Sequence, residues 1–149
     1  MVTYNVNVVH ARAVIFGIKA SVIKPPGKRP HVAVGGVCHV FCGNVPPDYS
    51  KSPDCHRLIT APCTVSDAFV LDERGALRSG VRVVHGDWLH QLALDEGFVN
   101  FADMQGHYDR MHGLPWSGQY VRWDARRADF RAQWPLIVKP PEVDADDTE

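Results

Sequence analysis

The sequence predicts an α+β fold, a small mixed β-barrel flanked by three or four short helices. Three observations carry this. Segments rich in β-formers or alternating with the period of a half-buried strand recur through residues 3–9, 37–42, 57–71 and 119–124. Between them stand segments with apolar residues at helical spacing and glycine near their ends. The order also lacks the regular strand–helix–strand alternation of a parallel, doubly wound sheet.

Tyr4, Val6 and Val8 alternate with Asn5 and Asn7, predicting a first strand over 3–9. Ala11, Val14, Ile15 and Ile18 then fall at helical spacing, and Gly17 can supply the left-handed residue that ends a helix. Ser21–Lys24 is a short β-branched run closed by the proline-rich loop 25–30. Val32–Val34 and Val37–Cys42 read as strands interrupted by Gly35-Gly36, and 43–54 as a long polar loop. Arg57–Leu71 is β-rich, with Pro62 marking a bulge or an edge. A charged turn at 72–75 leads to a further apolar stretch through Val81, Val83 and Val84. Asp87 is positioned to cap a helix over 88–95 that Gly97 ends. A second helix, 101–112, places Phe101, Met104, Tyr108 and Met111 on one face. The last strand is 119–124, with Tyr120 and Arg122 on one side and Val121 and Trp123 on the other, and a short basic helix is expected over 125–134.

At 149 residues the chain has the size of one domain, enough to bury about 68–70% of the unfolded surface around a single core. Its 45% hydrophobic and 22% charged residues exclude disordered and fibrous classes. Residues 1–136 are read as one domain and 137–149 as a proline-led, acidic, disordered tail, with five acids and no base in the last eight positions. The net charge of −1 therefore hides a body, residues 1–141, in which 16 bases face 12 acids. Such a balance suits a polyanionic partner. The first nine residues carry no leader pattern and no run is long and apolar enough for a bilayer, so the expected location is cytoplasmic, without membrane association.

Cys38, Cys42, Cys55 and Cys63 are then expected as reduced thiols. Cys38 and Cys42 have the count of a zinc pair, yet on a strand they lie about 13 Å apart at 3.3 Å per residue, too far for one ion. No metal or other cofactor is expected.

Gly17-Ile18-Lys19-Ala20-Ser21-Val22-Ile23-Lys24 resembles the G-x-K-x-x-T-x-R signature of the ASCH family, a set of small PUA-like domains. The resemblance continues through Val34–Val37, Phe41–Gly43, Cys55–Cys63, Asp95–Phe98 and Gly118–Trp123, covering roughly residues 4–124. It departs from the signature where Val22 stands for threonine and Lys24 for arginine. Lysine keeps the charge but not the planar two-bond fork.

The resemblance implies business with RNA or a modified nucleobase. Some ASCH proteins remove the acetyl group of N4-acetylcytidine with that threonine, the motif lysine and an acid from the end of the middle helix; others act as ribonucleases. Carried over by position, Lys19 matches the lysine and Glu96 the acid. Val22 cannot be a nucleophile. Ser21 has a hydroxyl, but on a strand it points away from the Val22 face, so either a turn of the backbone or an activated water would have to serve. By spacing alone, Lys19 reads instead as a solvated lysine just past a helix C-terminus.

The candidate catalytic residues are thus Lys19, Glu96 and Ser21. The candidate nucleic-acid contacts are Lys19, Lys24, Lys28, Arg29 and Lys51, which can track phosphates, with Trp116 and Tyr120 as stacking surfaces. Trp88, Trp123 and Trp134 read as core. A binding module with little or no catalysis is the leading reading, because a missing hydroxyl costs catalysis more than binding. The alternatives are an amidohydrolase or ribonuclease, and an interaction protein that keeps the barrel, loses the pocket and binds a protein partner.

Overall fold

The computed structural model describes residues 2–26, 30–42 and 56–130. Its strands are β1 (Val2–Val6), β2 (Ser21–Lys24), β3 (Val37–Cys42), β4 (His56–Asp72), β5 (Gly75–Arg78), β6 (Val81–Arg82), β7 (Trp116–Trp123) and β8 (Asp129–Phe130). Its helices are α1 (Ala11–Ile15), α2 (Gly86–Asp95) and α3 (Phe101–His112), with single 3-10 turns at Val8–His10 and Ala125–Arg127. This is a mixed α+β fold with few, short helices. Among the described residues the strand pairings follow an open path from β1 through β3, β4 and β5 to β6, with β7 joining β2 to β4; closure into the expected barrel is not among them. No helix among the described residues is long and apolar enough to cross a membrane.

The chain forms two compact units, each assembled from separated segments. The first comprises Met1–Ala20, Gly35–Cys63 and Trp123–Glu149. Here β1 runs parallel to β3, Val2 opposite Cys38 and Val6 opposite Cys42. β3 pairs antiparallel with the start of β4, with a register shift between Val40 and Phe41. β8 adds Asp129 and Phe130 opposite Thr60 and Ile59, where the sequence pattern suggested a continuing basic helix. Pro62, read as a bulge or an edge, is the last β4 residue to pair with β3, opposite Val37, and its carbonyl accepts from the Asp124 N–H at 3.0 Å.

α1 is shorter than its apolar spacing suggests. Gly17, at φ +77°, turns the chain so that the Ile18 N–H bonds the Ala13 carbonyl at 2.8 Å, a helix-ending pattern that favours glycine. Ala11, Val14 and Ile15 are buried, whereas Ile18, beyond the turn, is exposed.

The second unit comprises Ser21–Val34 and Thr64–Arg122. Val32–Val34, expected as a strand, is irregular and ends in a turn at Gly35, φ +90°. β2 pairs antiparallel with β7, Ser21 opposite Arg122 and Ile23 opposite Tyr120. The end of β4 pairs with β5, and β5 with β6. The β5–β6 loop is Ser79-Gly80, both with positive φ (+49° and +79°), the two-residue hairpin turn whose twist suits the flanking strands. The β4–β5 turn is held by Asp72, which accepts from the Arg74 N–H and takes both terminal nitrogens of Arg82 at 2.7 and 2.9 Å.

α2 begins one residue before Asp87, and its N-cap, His85, makes no side-chain cap bond. Asp87 lies instead in the first turn, where a carboxylate suits the helix dipole. α3 matches its predicted span, capped by Asn100 accepting from the Asp103 N–H at 2.8 Å. Both helices cover the sheet of this unit through one core of Ile23, Phe69, Leu71, Leu92, Met104 and Tyr120, against which Trp88, Phe98, Tyr108 and Trp116 also pack. Met111, assigned by spacing to the buried face of α3, is exposed, because that face has passed the end of the core by the last helical turn.

Candidate functional site

Alternation along an antiparallel ladder puts Ser21, Ile23, Tyr120 and Arg122 on one face of β2 and β7, and Val22 and Val121 on the other. Helical periodicity puts Trp88, Gln91, Leu92 and Asp95 on one stripe of α2. Where these two faces meet lies a cavity of about 330 Å³, walled by Ser21, Tyr120, Arg122 and that α2 stripe, and completed by Val65 of β4 and Arg78 of β5. The volume falls at the small end of the roughly 300–1,000 Å³ typical of ligand pockets, the size for one compact ligand group.

The walls are ordered by specific contacts. The rings of Trp88 and Tyr120 meet edge to face, with centroids 5.2 Å apart. The Arg78 guanidinium lies 5.1 Å from the Trp88 centroid and 4.9 Å from that of Tyr120. Asp67 holds that guanidinium in place, its Oδ2 accepting from Arg78 Nε at 3.0 Å and Nη2 at 2.6 Å. Gln91 donates to Asp95 Oδ1 at 2.9 Å, one helical turn on, which orients a carboxylate at the cavity. Arg122, exposed on the rim, has no ion-pair partner among the described residues.

Ser21 is the outlier in this wall. It is only 1% exposed, and its Oγ has no hydrogen-bond partner among the described residues. Buried polar groups are nearly always paired, so this hydroxyl keeps an unmet hydrogen bond beside the cavity.

No protein-family model, curated protein or solved structure matches this chain. The site therefore stands on its own geometry.

That geometry brings together some of the sequence candidates and leaves others elsewhere. Ser21 and Tyr120 line the cavity. Glu96, the acid expected there, caps the C-terminus of α2, and its charge acts on Tyr108, whose phenol is pushed up to about 12, first by burial and then by that carboxylate. Its neighbour Asp95 is the acid that faces the cavity. Trp116 packs on Tyr108, centroids 4.8 Å apart, against the core. Lys24, at the end of β2, is half-buried and lies on the ladder face opposite Ser21. Lys19 belongs to the first unit and is 3% exposed; the solvated lysine that spacing alone suggests is not what the fold makes of it. Lys28, Arg29, Lys51, Cys55 and the acidic tail lie outside the described residues.

Sequence reading missed Arg78, Gln91, Asp95 and Arg122; Trp88, read as core, does pack against the core and also lines the cavity. The signal was there for α2, since 88, 91, 92 and 95 have the i, i+3, i+4, i+7 spacing of one helix stripe while mixing aromatic, amide, apolar and acidic residues. A stripe meant only for a core is apolar throughout. For Arg78 no signal existed, because its role depends on β5 lying beside β4.

Cys38, Cys42 and Cys63 are buried and not in disulfides. Burial, and then the neighbouring Cys63, push the Cys38 thiol up to about 12. Among the described residues no three His, Cys, Asp or Glu side chains are grouped to hold a metal ion.

Proposed function

We propose that this chain is an ASCH-like module that binds RNA or a modified nucleobase, and that the base enters the cavity between α2 and the β2–β7 ladder. The observation that carries the reading is the buried, unpartnered Ser21 hydroxyl in a wall shared with two aromatic rings and an arginine. A base offers the complement of each: a flat apolar face for Trp88 and Tyr120, an edge of donors and acceptors for Ser21 and Asp95, and a phosphate for Arg122. A carboxylate beside an amide reads N–H donors on a base edge. The barrel form belongs to the same proposal, supported by a 17-residue β4 that pairs with β3 and β8 at one end and with β5 at the other.

A hydrolytic reading rests on the same serine. An amide carbonyl bound at the cavity would meet a hydroxyl from Ser21, with Asp95 the acid on the same wall. Calorimetric titration of the chain with nucleosides and 5′-monophosphates, N4-acetylcytidine included, tests both readings when each mixture is assayed by mass spectrometry. Binding without turnover, lost in Trp88→Ala, is the expected result. Turnover moves the chain to the hydrolases, and silence across the panel removes the nucleobase reading.

A further inference from the structure

Gln91 and Asp95 stand one helical turn apart on α2, and both line the cavity. Together they set a carboxylate beside an amide N–H donor, a pattern that the common bases do not match equally. Resting on the nucleobase reading above, we infer that the base taken by this cavity is guanine, whose pairing edge runs amino donor, ring N–H donor, carbonyl acceptor.

An ionised carboxylate only accepts, and it has room for several donors. Gln91 Nε2 donates to Asp95 Oδ1 at 2.9 Å, which orients the group without exhausting it. Two parallel N–H donors on one planar ligand are the strongest complement a carboxylate has. Guanine presents such a pair, at its ring nitrogen and its amino group. Cytosine and adenine place a ring-nitrogen lone pair beside their single amino group, and uracil flanks its one N–H with carbonyl oxygens. Each of those sets an acceptor against a carboxylate oxygen, where neither side can donate.

The donors of the cavity fit the rest of the same base. A glutamine amide nitrogen carries two N–H groups, and Asp95 uses one of those on Gln91. The other is a donor adjacent to the carboxylate, as guanine's carbonyl oxygen is an acceptor adjacent to its ring N–H. On the ladder wall, the Ser21 hydroxyl is 1% exposed and has no hydrogen-bond partner among the described residues. Guanine carries two neighbouring acceptors, O6 and N7, so each of these donors has one to meet.

A carboxylate by itself would suit a cationic amine as well, but the charges around the cavity do not. Arg78 and Arg122 both line it with Asp95. Arg78 is offset by Asp67, which lies 2.6 Å from it, and Arg122 has no ion-pair partner among the described residues. Arg122 then balances Asp95, which leaves no excess of negative charge to draw a cation. A neutral base with paired N–H donors gains the carboxylate without meeting either guanidinium as a like charge.

The experiment titrates guanosine, inosine, adenosine, cytidine and uridine calorimetrically into the full chain and into Asp95→Asn, with circular dichroism to check that the variant keeps the fold. The five ligands are uncharged and share one sugar, so differences among them report the base. Guanosine is expected to bind at least about tenfold tighter than adenosine, cytidine or uridine. The ratio stays far below that of a fully buried polar site, because Asp95 is half-buried and Gln91 exposed. Inosine, which lacks only the amino group, should bind about three- to tenfold weaker than guanosine. Asp95→Asn turns one acceptor into a donor at nearly constant size, and is expected to bring guanosine to within about twofold of cytidine. Adenosine or cytidine binding as tightly as guanosine, inosine matching guanosine, or a guanosine preference that survives Asp95→Asn overturns the guanine assignment and spares the nucleobase reading. If no nucleoside binds the full chain, that reading falls and the assignment falls with it.

Discussion

Ser21→Ala separates a functional hydroxyl from a structural one. Alanine removes one oxygen from a position that is 1% exposed and has no hydrogen-bond partner among the described residues. Leaving a buried hydroxyl unpaired costs about 1–3 kcal/mol, while the space vacated by the oxygen is small and returns only part of that as lost contact. The ligand-free variant is therefore expected to be more stable than wild type by about 1 kcal/mol, which for a chain of this size raises Tm by about 3 °C. Binding moves the other way. If the ligand supplies the missing partner, the variant loses one hydrogen bond worth about 0.5–1.5 kcal/mol, a drop in affinity of about two- to tenfold. Urea unfolding and nucleoside titration of the same preparation read both quantities. A Ser21→Ala protein that is less stable than wild type by 1 kcal/mol or more would refute the reasoning, since Ser21 would then be serving the fold.

Three other measurements follow from the packing. In a double-mutant cycle, Asp67→Ala and Arg78→Ala should couple by about 0.5–1 kcal/mol, the range for a partly exposed ion pair, and Arg78→Ala should cost about 1–2 kcal/mol more than Asp67→Ala because it also forfeits two ring contacts; equal costs would mean the guanidinium does not rest on Trp88 and Tyr120. Since Cys38 is held up at about 12 and Cys42 and Cys63 are also buried, a Cys55→Ser chain should resist alkylation at pH 8 until denaturant is added, and labelling under native conditions would contradict the burial. Tyr108, raised to about 12, keeps its proton in the folded chain after the unfolded chain has lost it near 10. Stability should therefore fall as pH rises from 10 to 12, by less than the full ~1.4 kcal/mol per unit because solvent at the exposed ring edge screens Glu96. Glu96→Gln should lower the Tyr108 midpoint in an ultraviolet titration.

How much of this was legible depended on the range of the interaction. The span of α3 was readable because its helical spacing is local, contained within the twelve positions 101–112. β3 and the alternation of β7 were readable for the same reason. The β-rich stretch 57–71 was visible, but not that it is one strand serving two units, because pairing partners up to 71 positions away, as Phe130 is from Ile59, decide that. The isolated errors have local causes: glycine ended α1 before its apolar spacing did, and Val32–Val34 runs as irregular chain into the turn at Gly35. Within the site, the resemblance implied Glu96, which is the C-cap of α2, whereas the acid that lines the cavity is Asp95. One residue is 100° of helix rotation, enough to carry Glu96 toward Tyr108 while Asp95 faces the cavity.

The same one-residue logic governs β2 and gives the last prediction. The sequence places the missing hydroxyl of the signature at Val22, so Val22→Thr reads as the repair that would restore hydrolysis. In the structure Val22 sits opposite Val121 on the ladder face away from Ser21, and is 2% exposed. A threonine there adds a buried hydroxyl to an apolar environment, expected to lower stability by about 1–3 kcal/mol, or about 3–9 °C in Tm. Its oxygen would be on the wrong side of the strand to meet a group bound between Trp88 and Tyr120. Val22→Thr should thus be less stable, bind nucleosides as wild type does, and gain no turnover of N4-acetylcytidine. A clear gain of turnover in this variant, abolished again by Lys19→Ala, would show that the working face of β2 is the one carrying Val22, and would move the site off the cavity altogether.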